Sequence, residues 1–171
     1  MQIRRNQDSG ADSSTSEVCV RPAHVSDREQ LARLRETLWP DASTQEDARE
    51  LEAILGGHAP GALPVIYLVA EAGDRKLIGF LEAGLRSHAD GCNPSHPVGF
   101  IEGWYVAEGF RHQGIGRRLL AAAEQWARSQ GCIEMASDTW IDNDLSQRVH
   151  EALGYEVVDR CVNYRKLLTP S

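Results

Sequence analysis

A strand-like run, Phe100-Ile101-Glu102-Gly103-Trp104-Tyr105-Val106, gives way to a helix-like run over 117–128, and between them lies Arg111-His112-Gln113-Gly114-Ile115-Gly116. Two glycines and a basic side chain at such a junction let several backbone N–H groups converge on one point. Gly114 and Gly116 remove the side chains that would hold an anion away, and the start of the helix adds its partial positive charge. In physical outline this is a pyrophosphate cradle, formed by Arg111, His112, Gln113, Gly114, Ile115, Gly116 and Arg117. A glycine motif alone would equally suit an ordinary turn. The strand before it and the helix after it favour the cradle.

The remaining sequence fits one domain. A chain of 171 residues can bury a core without disulfides or a structural metal. Residues 18–168 are expected to form that domain. Residues 1–17, polar and rich in Ser and Asp without an apolar signal-peptide core, read as a disordered tail. Cys19, Cys92, Cys132 and Cys161 are scattered, with no C-x-x-C pair and no His at zinc spacing. That fits reduced thiols in a cytoplasmic protein and no metal. No run of about 18 apolar residues occurs, so no membrane partner is expected. The net charge of −7 argues against nucleic acid as the main partner and favours a cationic small substrate, or none in particular.

Periodicity sets the element order. A first strand over 18–22 ends at a proline, and Ser26-Asp27-Arg28-Glu29 has the form of a helix start, with Leu31, Leu34 and Leu38 recurring behind it. That helix stops near Trp39-Pro40, because a proline drives its predecessor out of helical geometry. A second helix spans 44–55. Strands over 65–72 and 77–85 are joined by Gly73-Asp74, a hairpin signal. A loop over 87–97, rich in His, Asp, Asn, Pro and Gly, is long enough to suggest function. After the strand at 98–106 and the cradle, Leu119, Leu120, Ala123, Trp126 and Ala127 form one apolar helical stripe. A short strand at 133–137, a helix at 143–153 and a closing strand within 155–166 complete an α+β sheet with helices on both faces.

The R-x-x-G-x-G spacing in this setting resembles the acetyl-coenzyme A loop of the GNAT family of N-acetyltransferases, and the element order extends the resemblance over about 18–166. It implies the GNAT acyl-CoA N-acyltransferase fold: a mixed, mostly antiparallel central sheet, splayed around the cofactor. Acetyl-CoA would be the cosubstrate, its pantetheine arm pairing with backbone groups of Trp104, Tyr105 and Val106. The physics is sound independently, since an open strand edge accepts an amide-bearing ligand and a backbone N–H aimed at the thioester oxygen stabilises an oxyanion. Ordinary strand packing remains an equal reading for the side chains of Trp104 and Tyr105.

A narrower resemblance lies in Leu38-Trp39-Pro40, Phe100-Ile101-Glu102-Gly103, Glu134-Met135-Ala136-Ser137-Asp138-Thr139 and His150-Glu151-Ala152-Leu153-Gly154-Tyr155. These segments are similar to those of aminoglycoside 6'-N-acetyltransferases. The resemblance implies that Trp39, Glu102, Asp138 and Asp159 contact the antibiotic, that Asn143 hydrogen-bonds the cofactor, and that the protein is a homodimer. Ala89 and Ala42 depart from the pattern, replacing an aromatic and a His, which bears on the drug spectrum.

The carboxylates make sense on their own terms. A polycationic sugar needs fixed negative charge, and Glu102 within an apolar strand and Asp138 at the end of another need a partner or a role. An exposed strand face for Glu102 and a turn or helix cap for Asp138 are the competing readings; Glu82, also strand-embedded, is a weaker candidate. No Cys or Ser sits in a nucleophile motif, so direct attack of the amine on the thioester is preferred. Asp138 or Glu102 would take the amine proton, through water or directly. His150 stands where many such enzymes carry a Tyr beside the sulfur and would protonate the thiolate; a half-buried structural His is the equal alternative. Two other functions fit the residues: acetylation of another amine, such as a polyamine or a protein N-terminus, and a non-catalytic acyl-CoA-binding module.

Overall fold

The computed structural model describes residues 18–40, 45–57 and 63–167. The tail at 1–17 and Ala42 lie outside them. Strands β1 (Cys19–Pro22), β2 (Val65–Glu71), β3 (Leu77–Arg86), β4 (Val98–Val106) and β5 (Met135–Ser137) form one sheet in sequence order. The first four pair antiparallel, whereas β5 joins β4 in parallel after a helical crossover. Helices α1 (Arg28–Leu38) and α2 (Gln45–Leu55) cover one face, and α3 (Ile115–Ser129) covers the other. The last helix, α4 (Asp144–Ala152), follows β5.

Alternation along the central strands explains the two layers. Leu68, Ala70, Ile78, Leu81, Ala83 and Ile101 meet Ile115, Leu119, Leu120 and Ala123 of α3. Tyr67, Val69, Leu77 and Phe80 meet Leu31 and Leu51 on the opposite side. Strands buried on both faces read as continuous apolar runs, as β2 and β3 do. Full burial of Leu119 and Leu31 contributes about 1.5–3 kcal/mol each.

Asp27 fastens the entry to α1. Its carboxylate accepts from the His24 N–H at 2.8 Å and from the Arg21 guanidinium at 2.6 and 3.0 Å, and Arg21 also pairs with Glu71 of β2. The Arg21 hydrogen bond holds the Asp27 carboxyl below the usual carboxylate range, against the cost of burial. At the other end, the Trp39 backbone leaves helical geometry (φ −128°, ψ 77°) immediately before Pro40.

The expected closing strand is absent. Residues 155–167 form no strand, although Val157, Val158 and Val162 have strong β-propensity. Propensity forms a strand only against a neighbour, and β5, the edge next to which such a strand would lie, is just three residues long. Val162 and Tyr164 are 71% and 93% exposed.

Candidate functional site

The site begins where β4 and β5 part. The two strands pair only over Gly99–Met135, Phe100–Ala136 and Ile101–Ser137, so Glu102 and Asp138 each stand one residue beyond the last paired position. On its other side, β4 keeps its pairing with β3 as far as Val106. The Ala107 N–H donates to the Ile78 carbonyl at 2.8 Å, which by strand alternation turns Tyr105 toward β3 and the backbones of Trp104 and Val106 toward the gap. Of the expected trio, the backbones of Trp104 and Val106 therefore face the gap, and that of Tyr105 is paired with β3. The Val106 carbonyl already accepts from Arg111 Nε at 2.9 Å, leaving its N–H for a ligand.

The glycine junction has a cradle's geometry. Gly114 adopts φ +76°, and a Cβ built there would meet nothing within 4 Å, so the surface above it is open. The first intrahelical bond of α3 runs from the Arg118 N–H to the Gly114 carbonyl at 3.1 Å. The N–H groups of Ile115, Gly116 and Arg117 are thus the free donors of a helix start. Arg111 lies 5.7 Å from the Tyr105 ring centroid, His112 has φ +62°, and the Gln113 amide donates to the Gly109 carbonyl at 3.2 Å. This donor set fits a pyrophosphate. Gly116 has a further constraint: a Cβ there would come within 2.8 Å of the Trp104 indole. Its missing side chain admits the tryptophan, while its N–H remains a donor of the helix start.

Glu102 occupies a bulge. Glu82 pairs with Gly103 and Ala83 with Ile101, so no residue of β3 opposes Glu102. Its carboxylate is gripped by Arg86, from Nε at 3.1 Å and Nη2 at 2.7 Å. Trp39 lies flush on Gly103, where a Cβ would fall 2.1 Å from the indole, and meets Phe80 edge-on at 6.1 Å between centroids. Beneath it, Arg35 forms an ion pair with Glu82 at 3.3 Å and stands 5.5 Å from the ring centroids of Trp39 and Tyr67. Burial pushes the Glu82 carboxyl pKa up, with Arg35 opposing. Burial likewise raises the Tyr67 phenol.

Asp138 is exposed just past the end of β5, and its carboxylate takes no ion pair among the described residues. His150 is tied on both sides. Its Nδ1 donates to the Ser146 carbonyl at 2.8 Å, since a carbonyl can only accept, and Nε2 lies 3.1 Å from the Ser137 hydroxyl. Its ring meets Trp104 and Tyr155 edge-on at 5.9 and 5.5 Å. These contacts favour the structural reading of His150, a clasp between α4 and β5. Asn143 caps α4, its Oδ1 accepting from the Ser146 N–H at 3.1 Å. Asp159 is not gathered in: it lies on the exposed 156–167 segment and accepts from its neighbour's backbone N–H.

Comparison with known proteins bears on this arrangement. The model of the acetyltransferase (GNAT) family matches residues 28–155. The chain belongs to that family. Within it, the chain is 40% identical over 149 residues to an aminoglycoside N(6')-acetyltransferase type 1 of Klebsiella aerogenes, covering 87% of this chain and 96% of that one. A protein of the same description from Serratia marcescens is 43% identical over 136 residues, covering 79% and 89%. Among solved structures, AAC(6')-Iy in complex with the bisubstrate analogue CoA-S-monomethyl-acetylneamine superposes with a TM-score of 0.80 at 36% identity, covering 90% of this chain and all of that one. The aminoglycoside 6'-N-acetyltransferase AAC(6')-Ih of Acinetobacter baumannii gives 0.78 at 29%, covering 90% and 100%.

Two cations of this acetyltransferase's site escape a sequence reading. Arg86 reaches Glu102 only through the register of β3 on β4. Arg35 left a trace, a charge within the Leu31, Leu34, Leu38 stripe of α1, which matches the charge of Glu82 inside an apolar strand. The suspected 87–97 loop is anchored: Ala89 is buried against Val98 and Phe100, and the Asn93 N–H donates to Glu134 at 2.7 Å.

Proposed function

We propose that the protein transfers the acetyl group of acetyl-coenzyme A to the 6'-amine of aminoglycoside antibiotics by direct attack, and thereby confers resistance to them. The observation that carries this reading is the juxtaposition at the β4–β5 fork. A helix-start cradle lies at one end, free backbone groups of Trp104 and Val106 lie along the edge, and Glu102 and Asp138 stand at its mouth. Relatives of similar length carry the name aminoglycoside N(6')-acetyltransferase, and AAC(6')-Iy has been solved with coenzyme A.

In this reading the cradle of Arg111, His112, Gln113, Gly114, Ile115, Gly116 and Arg117 holds the pyrophosphate, and Asn143, beyond its capping role, lies near the cosubstrate. The Val106 N–H faces the thioester oxygen, where a preorganised donor acts on charge that develops during attack. Trp39 supplies a flat wall, and Glu102 and Asp138 hold the drug's ammonium groups. Asp138, without a cationic partner of its own, takes the proton released as the amine's nitrogen bonds to the acetyl carbon. The carbon–sulfur bond breaks, and the thiolate leaves to be protonated from solvent, since the Ser146 and Ser137 contacts of His150 occupy both ring nitrogens.

The protein is placed in the cytoplasm, where acetyl-coenzyme A is made. It acts as a homodimer: the exposed valines and Tyr164 of residues 156–167 and the open edge of β5 are surfaces that a second copy would cover, bringing Asp159 toward a site. A thiol-release assay with acetyl-coenzyme A tests the reading. Kanamycin should release thiol, whereas its 6'-hydroxyl counterpart and spermidine should release little; release with spermidine alone would redirect the reading to polyamines.

A further inference from the structure

Arg86 makes a contact that opposes cation binding at Glu102. It is the last residue of β3, and its guanidinium takes both oxygens of Glu102, Nε to Oε1 at 3.1 Å and Nη2 to Oε2 at 2.7 Å. Its Cζ stands 3.3 Å from the centroid of the Phe100 ring, so the planar fork is held on an aromatic face as well as by the carboxylate. The arrangement is fixed by the fold: the bulge frees Glu102 from the pairing on β4, and Arg86 pairs with Val98 at the near end of the same ladder. Both partners remain reachable from solvent, with side chains 41% and 34% exposed.

We propose that Arg86 is a resident counter-cation that an incoming drug must displace from Glu102, and that it thereby sets the site's selectivity for multiply charged amines. The proposal rests on the aminoglycoside reading above. A bidentate guanidinium uses two of the carboxylate's roughly four acceptor positions and repels a second cation at the others. A ligand with one ammonium gains little by competing. A ligand whose other ammonium groups are held elsewhere, as at Asp138, presents its last charge at high effective concentration and prevails. Because the pair is exposed, displacing it costs little. Arg86 therefore tunes binding without abolishing it, and it acts through Glu102 rather than on the reacting atoms.

The test is steady-state kinetics of Arg86→Gln with kanamycin and with 6-amino-6-deoxyglucose, a singly charged amine that keeps the reacting nitrogen, alongside Arg86→Lys, Glu102→Gln and the Arg86→Gln/Glu102→Gln double variant. Arg86→Gln should lower KM for kanamycin about two- to fivefold, equivalent to about 0.4–1 kcal/mol, with the change falling on KM rather than kcat. Its gain for 6-amino-6-deoxyglucose should be proportionally larger. Arg86→Lys, which keeps charge but loses the fork, should lie between, and the effect of Arg86→Gln should vanish in the Glu102→Gln background. An unchanged or raised KM in Arg86→Gln, with Arg86→Lys behaving alike, would overturn the proposal while leaving the aminoglycoside reading intact. Absence of turnover by the unmodified protein with every aminoglycoside removes both.

Discussion

Gly114 and Gly116 stand two residues apart and answer to different constraints. Gly114 needs positive φ and leaves open space above the helix start, whereas Gly116 makes room for the Trp104 indole. Gly114→Val should cost about 1–2 kcal/mol of backbone strain, a fall of a few degrees in Tm, while covering the donors and abolishing coenzyme A binding. Calorimetry showing unchanged affinity in a folded Gly114→Val protein contradicts the cradle. The two carboxylates at the fork also differ. Loss of a charged hydrogen bond is worth about 1.5–3 kcal/mol, so Asp138→Asn should raise KM for the drug, or lower kcat, by about tenfold or more. Glu102→Gln should do less, since Arg86 already neutralises part of that charge. Cosubstrate KM should stay near its original value in both; full activity of both variants against every 6'-amino drug makes the carboxylates structural.

Among elements, β1, α1 and β2 are locked together by Arg21, Asp27 and Glu71. Since the folded Asp27 carboxyl is held below its unfolded value, its contribution is present above that unfolded value and is lost as pH falls through the folded one. Unfolding free energy should therefore drop by about 1–3 kcal/mol on this account as pH descends from about 3.9. Asp27→Asn should be less stable near neutrality and show a shallower acid decline; parallel Tm–pH curves for the two proteins contradict this. Residues 156–167 make the opposite case, an element without a partner in its own chain. Truncation after Tyr155 should leave the fold intact, because no described residue beyond it is buried, and should reduce the proposed dimer to half its sedimenting mass. A truncated protein that still sediments as a dimer rules this segment out as the interface. Strands and helices up to α4 were legible because their apolar period matched their neighbours. The closing strand was misread because the β-propensity of Val157, Val158 and Val162 carries no information about whether an edge is available.

For the whole molecule, the order of elements and the cradle could be read from residue types alone, since both depend on local periodicity and on glycine at a strand–helix junction. The chemistry at the fork could not. One extra residue in β4 leaves no mark on the alternation of 98–106, yet it decides that Glu102 meets Arg86. The tethering of His150 by Ser137 and Ser146 depends on how α4 docks beside β5, which residue spacing does not specify. What joins these parts into one function is the position of a single amine against a single thioester, and orientation of that kind is worth far more than any one contact. The measurement that tests it most directly is the structure of the product formed from kanamycin and acetyl-coenzyme A, by mass spectrometry and NMR. The expected product is mono-acetylated at the 6'-nitrogen, with little formed from the 6'-hydroxyl counterpart. Acetyl on a different amine contradicts the placement of the drug at the fork, and no acetylated aminoglycoside contradicts the substrate class.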